Sequence, residues 1–137
     1  MVRKPRHHRF LDEERVREAI VNVERSTDAP ICVSVAPHFW GNIRRTAQRA
    51  LKRQGLTRTP QRNAVLFFVV PSRREFVILG DAGAHEVLGQ ETWDAIAASV
   101  QERFRAGNPT SGVIHGIEEV GRHLARHFPR KPSDAQV

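Results

Sequence analysis

Residues 80–85 read Gly-Asp-Ala-Gly-Ala-His, a glycine-rich turn holding a carboxylate and an imidazole. Asp81 is the candidate catalytic residue there. With Glu86 and Asp94 just downstream, it is also a candidate metal ligand. Calcium takes six or more oxygens, and magnesium keeps several waters, so a few carboxylates could hold either ion weakly. The plainer reading is that Asp81 organises the turn through backbone amides while Asp94 faces solvent. A second constellation is His115, Glu119, His123 and His127, spaced by four along one helical stretch. His123 and His127 stand at zinc-ligand spacing. Without cysteines or further converging ligands, a solvated Glu-His edge is the expectation. A third is arginine-rich: Arg44, Arg45, Arg49 and Arg53 are candidate anion ligands. Phosphate contacts from them would be salt-sensitive and blind to sequence. No glycine-rich phosphate loop and no Ser-His-Asp signature appears, and Ser72 and Ser111 read as turn and cap residues.

These groups need a scaffold, and residues 62–81 are its centre. Residues 65–70 are an unbroken apolar run, as in a strand buried on both faces. A short polar break with Pro71 follows, then a second apolar run over 76–79 ended by Gly80-Asp81. Runs this close pair as an antiparallel hairpin. Upstream, Asp12 is an N-cap, Leu11 and Val16 are spaced as a hydrophobic staple, and the first helix should end near Ser26-Thr27. Residues 31–36 form a strand with Ile31, Val33 and Val35 on one face and Cys32 and Ser34 on the other. Residues 37–41, with Phe39 and Trp40, leave that strand. Asn42 caps a second helix with a narrow stripe of Ile43, Ala47, Ala50 and Leu51, stopped at Gly55. Strand, helix and strand make a βαβ unit, which crosses over right-handed to give a parallel pair. Residues 86–106 read mainly as one helix with Trp93, Ile96, Ala97, Val100 and Phe104 inward. Gly107-Asn108-Pro109 breaks it. Thr110 or Ser111 then caps a last helix facing the core with Val113, Ile117, Val120, Leu124 and Phe128. The fold class is α/β: a three-layer sandwich in which a small mixed β-sheet, a βαβ unit plus a hairpin strand, is flanked by helices.

At 137 residues the expectation is one domain, 10–129, between a flexible basic arm, 1–9, and a flexible tail, 130–137. His7 and His8 are sequence neighbours and a poor metal pair. The lone Cys32 cannot close an intramolecular disulfide and reads as a buried core thiol. With no signal peptide and no apolar run of about 20 residues, the expected compartment is the cytoplasm and no transmembrane segment is expected. Net charge is +7, with arginine supplying 19 of 22 basic residues. No acid lies between Ala29 and Arg74. Such asymmetry marks either an anion-binding face or a solvated helix face.

Three runs then carry a resemblance: 10–14 (Phe-Leu-Asp-Glu-Glu), 62–66 (Arg-Asn-Ala-Val-Leu) and 76–83 (Phe-Val-Ile-Leu-Gly-Asp-Ala-Gly). With 91–94, 103–107, Gly112 and 117–121, they resemble the TPM domain family over roughly Phe10 to Pro129. That family includes a plant thylakoid lumen protein of photosystem repair, a nematode receptor modulator and many bacterial proteins. The resemblance implies a small α/β sandwich. It also implies candidate ligand-binding roles for Asn63, Gly80, Asp81 and Gly83 beside Arg44, Arg45 and Arg49. Some members are described as acid phosphatases and some bind divalent cations, so Ca²⁺ or Mg²⁺ is the implied cofactor. Here Gly89-Gln90 stand where many members carry Thr-Asp, and Pro30 where many carry glutamate. Two carboxylates of the acidic site are therefore missing. The expected function is a non-catalytic module for a protein or anionic partner, with nucleic acid less favoured. The alternative is a weak divalent-metal-dependent acid phosphatase centred on Gly80-Asp81.

Overall fold

The computed structural model describes residues 10–36 and 41–131. The expected arm with His7 and His8, the strand exit from Pro37 to Trp40, and residues 132–137 lie outside them. Helix α1 spans Glu13–Glu24, and the Asp12 side chain accepts the Arg15 N–H at 3.2 Å as its cap. Strand β1 is Ile31–Val35 and helix α2 is Ile43–Arg53, capped by Asn42, which accepts the Arg45 N–H at 2.8 Å. Strands β2, Val65–Val70, and β3, Glu75–Gly80, follow. Helices α3, Ala82–Leu88, α4, Gln90–Arg105, and α5, Pro109–His127, complete the chain. Among the described residues no helix is long and apolar enough to cross a membrane.

The sheet runs β1-β2-β3, with β1 parallel and β3 antiparallel to the central strand. Every residue of β2 is buried, which is why its sequence does not alternate. Its side chains nevertheless divide by the period of two. Val65, Phe67 and Val69 join α1, α3, α4 and α5 in the larger core, and Leu66, Phe68 and Val70 join α2 in the smaller one. The expected three layers are therefore present, with one helix above the sheet and four below among the described residues.

Local departures have local causes. The stretch expected as one helix over 86–106 is two, because Gly89 adopts φ 83° and reorients the chain between α3 and α4. The last helix starts two or three residues earlier than expected, with Asn108 rather than Thr110 or Ser111 at its N-cap and Pro109 in its first turn. Its Thr110 hydroxyl accepts the Asp12 N–H at 2.9 Å rather than capping α5. Cys32 is only half-buried, since β1 is an edge strand and its α2-facing side is incompletely covered. Burial and, secondarily, the charge of Glu24 raise its thiol pKa. Thr27, fully buried, ties the two ends together by donating to the Phe128 carbonyl at 2.6 Å and accepting the Ala29 N–H at 3.1 Å.

Candidate functional site

The hairpin register pairs Val65 with Gly80, and so sets residues 62–64 opposite 81–83. Arg62 stands at φ 52°, a left-handed conformation uncommon for a residue with a side chain. That turn directs its guanidinium onto Asp81: Nε reaches Oδ2 at 2.5 Å and Nη2 reaches Oδ1 at 2.8 Å. The Arg62 carbonyl accepts the N–H groups of Gly83 at 2.7 Å and Ala84 at 3.1 Å, satisfying the open first turn of α3. One arginine thus holds β2, the β3 exit and α3 by both its ends.

The neighbouring residues fit round this fork. Asn63 is buried, accepts the Thr59 hydroxyl at 3.2 Å and donates its backbone N–H to the same oxygen at 3.2 Å. The Asp81 N–H donates to the Ala64 carbonyl at 2.8 Å. A Cβ at Gly80 would lie 2.6 Å from the Trp93 ring, and one at Gly83 would lie 2.2 Å from the Gln61 carbonyl oxygen. Asn63, Gly80, Asp81 and Gly83 therefore meet at one corner around Arg62, with Gly80 also bordering a groove beside Trp93. In the sequence Arg62 stands out only as one basic residue among many. Its position opposite Asp81 in the hairpin is the signal that could have found it.

Burial alone would raise the Asp81 pKa, since only 5 % of the residue is exposed. The hydrogen-bonding Arg62 guanidinium, the Ala82 N–H and the Arg62 charge outweigh it, so the carboxyl titrates below its ordinary value. The Ala82 N–H contributes as a dipole, without the geometry of a capping bond. A depressed carboxylate stabilises the fold above its unfolded pKa and loses that contribution as pH falls through the folded one. Asp81→Asn is therefore expected to lower the urea midpoint at neutral pH. The gap from the parent should close as acid protonates Asp81 in the parent. A gap that persists unchanged at low pH would show that the ion pair is not its source.

The other proposed metal ligands do not join Asp81. Glu86 is exposed on α3. Asp94 is exposed on α4 and accepts Gln90 Nε2 at 2.8 Å. The His85 ring lies parallel to Trp93, centroids 6.3 Å apart, and its carbonyl accepts the indole N–H at 3.2 Å. Among the described residues no three His, Cys, Asp or Glu side chains are grouped to hold a metal ion. Both Asp81 oxygens already face a guanidinium, so this donor set does not fit Ca²⁺ or Mg²⁺.

The α5 stripe is likewise engaged elsewhere. His115 Nε2 shares a 2.8 Å hydrogen bond with Ser99 Oγ, which also accepts Arg103 Nη1 at 2.9 Å. Glu119 pairs with Arg122. Desolvation, then the charges of Arg122 and Arg126, lower the His123 pKa against the opposing effect of Glu119, with His127 lowering it further. His127 itself is exposed. By contrast, Arg44, Arg45, Arg49, Lys52 and Arg53 all lie exposed on α2. None of them forms an ion pair with a described residue.

Comparison with known proteins places this arrangement among relatives. A family model described as the TPM domain matches residues 9–123. The chain is similar to the BA42 protein of the psychrophilic bacterium Bizionia argentinensis, solved by NMR. The two share 30% identity at a TM-score of 0.83, over 91% of this chain and 88% of that one. The N-terminal domain of a P. gingivalis protein shares the fold at 17% identity and TM-score 0.71, over 88% and 80% of the two chains. That of the cg2496 protein from Corynebacterium glutamicum does so at 20% identity and TM-score 0.63, over 80% and 68%. No curated protein matches the sequence.

Proposed function

The chain belongs to the TPM domain family, and from that premise we propose that it is a non-catalytic binding module for an acidic protein partner. The observation that carries this reading is the engagement of both Asp81 oxygens by Arg62. The carboxylate with the best claim to chemistry serves the hairpin instead. The exposed arginines of α2, which lack ion pairs with described residues, are the surface left to meet a partner. Opposite charge there would steer encounter and set orientation, with affinity screened by salt. The nearest acids in sequence are Asp28 and Glu75, outside α2, so the helix carries no internal neutralisation.

Fluorescence anisotropy with a labelled polyglutamate peptide tests this. Binding is expected at low ionic strength, weakening as salt rises to about 0.15 M, where the Debye length is about 8 Å. Arg45→Glu combined with Arg49→Glu is expected to weaken it by roughly tenfold or more. Equal affinity in parent and charge-reversed protein would sink the proposal. The same preparations, given p-nitrophenyl phosphate and Mg²⁺, address the phosphatase alternative. Metal-stimulated turnover that vanishes in Asp81→Asn, with the fold intact, would put catalysis in place of binding.

A further inference from the structure

We propose that the free edge of β3 accepts an extended peptide as a fourth strand, and that this peptide carries a carboxylate facing Arg44. The proposal rests on the binding-module reading and names the kind of segment the module takes.

Half of the backbone groups of β3 point away from the sheet. Asp81 donates to the Ala64 carbonyl, so Ala64 and Asp81 form a hydrogen-bonded pair of the antiparallel ladder. Alternation then turns Glu75, Val77 and Leu79 toward β2, in the register Val70↔Glu75, Phe68↔Val77 and Leu66↔Leu79. Phe76, Ile78 and Gly80 turn their N–H and C=O groups outward. Among the described residues β3 is an edge strand, and no ladder from them meets these groups. Successive outward residues lie about 6.8 Å apart, the two-residue repeat of another strand. Edge strands are commonly protected by lysine, proline or an inward charge. Between Phe76 and Gly80 the sequence has none of these.

A groove of about 460 Å³ accompanies this edge, lined by residues 76–80 of β3, by α4 and by Arg44 of α2. Trp93 lies under Gly80 and Phe104 packs on Phe76, with ring centroids 4.9 Å apart. Helix α4 therefore runs antiparallel to β3 along the whole edge. Between those aromatic ends α4 presents Asp94, Ala97, Ala98 and Gln101 to the groove. The two alanines leave room beside the strand. Asp94, toward the Trp93 end, disfavours a peptide carboxylate there and leaves Arg44 as its partner. Arg44 borders the opposite side and has no ion-pair partner among the described residues. Helix α2 follows the C-terminal end of β1, which lies beside the β2 end paired with the start of β3. That places Arg44 toward the Phe76 end. A strand's side chains alternate between faces. A docked peptide would set small or β-branched groups over the alanines and an acidic group toward Arg44. Main-chain hydrogen bonds would supply affinity, and the alternate side chains selectivity.

The test uses the ¹⁵N-labelled full chain and a set of blocked heptapeptides of alternating valine and threonine, with one glutamate scanned through every position. One glutamate position should bind best, with amide shifts centred on Phe76, Ile78 and Gly80 and slowed hydrogen exchange at those three. N-methylation of alternate peptide amides should abolish binding. Ala98→Trp, at an exposed position, should fill the groove and lower affinity about tenfold or more while leaving the spectrum folded. Arg44→Glu should shift the preference from the glutamate to the matching lysine peptide. Silence at the three amides throughout the set would overturn the proposal, as would shifts confined to β1 or α2. A dimer in sedimentation whose Phe76, Ile78 and Gly80 amides are already protected from exchange without peptide would overturn it too. Polyglutamate binding retained beside a silent β3 edge would reject this docking mode and leave the basic-face reading standing.

Discussion

Gly83→Ala is expected to destabilise the protein by roughly 2–4 kcal/mol, although alanine is the better helix former by about 1 kcal/mol. The reason is space. A Cβ at this position would stand 2.2 Å from the Gln61 carbonyl oxygen and 2.9 Å from that of Arg62. Both obstacles are backbone, so no side-chain rotation relieves them. Relief requires α3 to move from the 61–62 segment, which breaks the Gly83 and Ala84 bonds to the Arg62 carbonyl. It also pulls Asp81 from the Arg62 fork, because Asp81 immediately precedes α3. Equilibrium urea unfolding of the variant and parent measures the loss. A matched Gly89→Ala variant separates space from conformation, since Gly89 has φ 83° but a Cβ there would meet nothing within 4 Å. It should cost about 1–3 kcal/mol from backbone strain alone, since φ 83° with ψ 151° is a region essentially reserved for glycine. A stability gain in Gly83→Ala would show that helix propensity governs and that the close approach is soft.

The second large effect is at the centre of the sheet. Phe67 is 1 % exposed and belongs to the larger core. Phe67→Ala should cost about 3–5 kcal/mol by lost burial and the cavity left behind. Against a total stability of about 5–15 kcal/mol for folded domains, this is a large share of what holds the protein folded. Its neighbour makes the expectation sharper. A Cβ at Gly116 of α5 would lie 2.7 Å from Phe67 Cε2 and 3.0 Å from Val100 Cγ2. Gly116→Ala should therefore destabilise the parent, and the penalty should shrink in a Phe67→Leu background, which vacates the ring's outer edge. A double-mutant cycle in urea should return a coupling of about 0.5–3 kcal/mol. Strict additivity of the two changes would mean that α5 and β2 are not packed ring against glycine.

Both effects concern the frame that holds the candidate corner, and they bear on function through it. The Arg62 fork, the Gly83 approach and the Trp93 ring under Gly80 hold the β3 exit against α3 and α4. The β3 edge and the groove beside it inherit their geometry from that hold. A variant that loosens the corner should therefore weaken peptide binding without touching Arg44.

What the sequence determined by itself was everything that repeats within one element. The periods of two and 3.6 sorted the strand faces and the stripes of α2, α4 and α5. Asp12 and Asn42 announced their helix starts through side-chain capping. These are local properties, set by neighbours within a turn or along one strand. The break at Gly89 was less legible, because glycine is also tolerated inside a helical pattern and only its φ reveals the turn. Tertiary structure alone decided the partner of Asp81. Carboxylate in a glycine-rich loop fits a cation, a turn or an arginine equally well by residue type. The choice was made by hairpin register and by the left-handed backbone at Arg62, 19 residues away in sequence. The separation of Glu86 and Asp94 from Asp81 has the same origin. Spacing along a helix places side chains on a face, but which faces converge depends on how helices pack across the sheet.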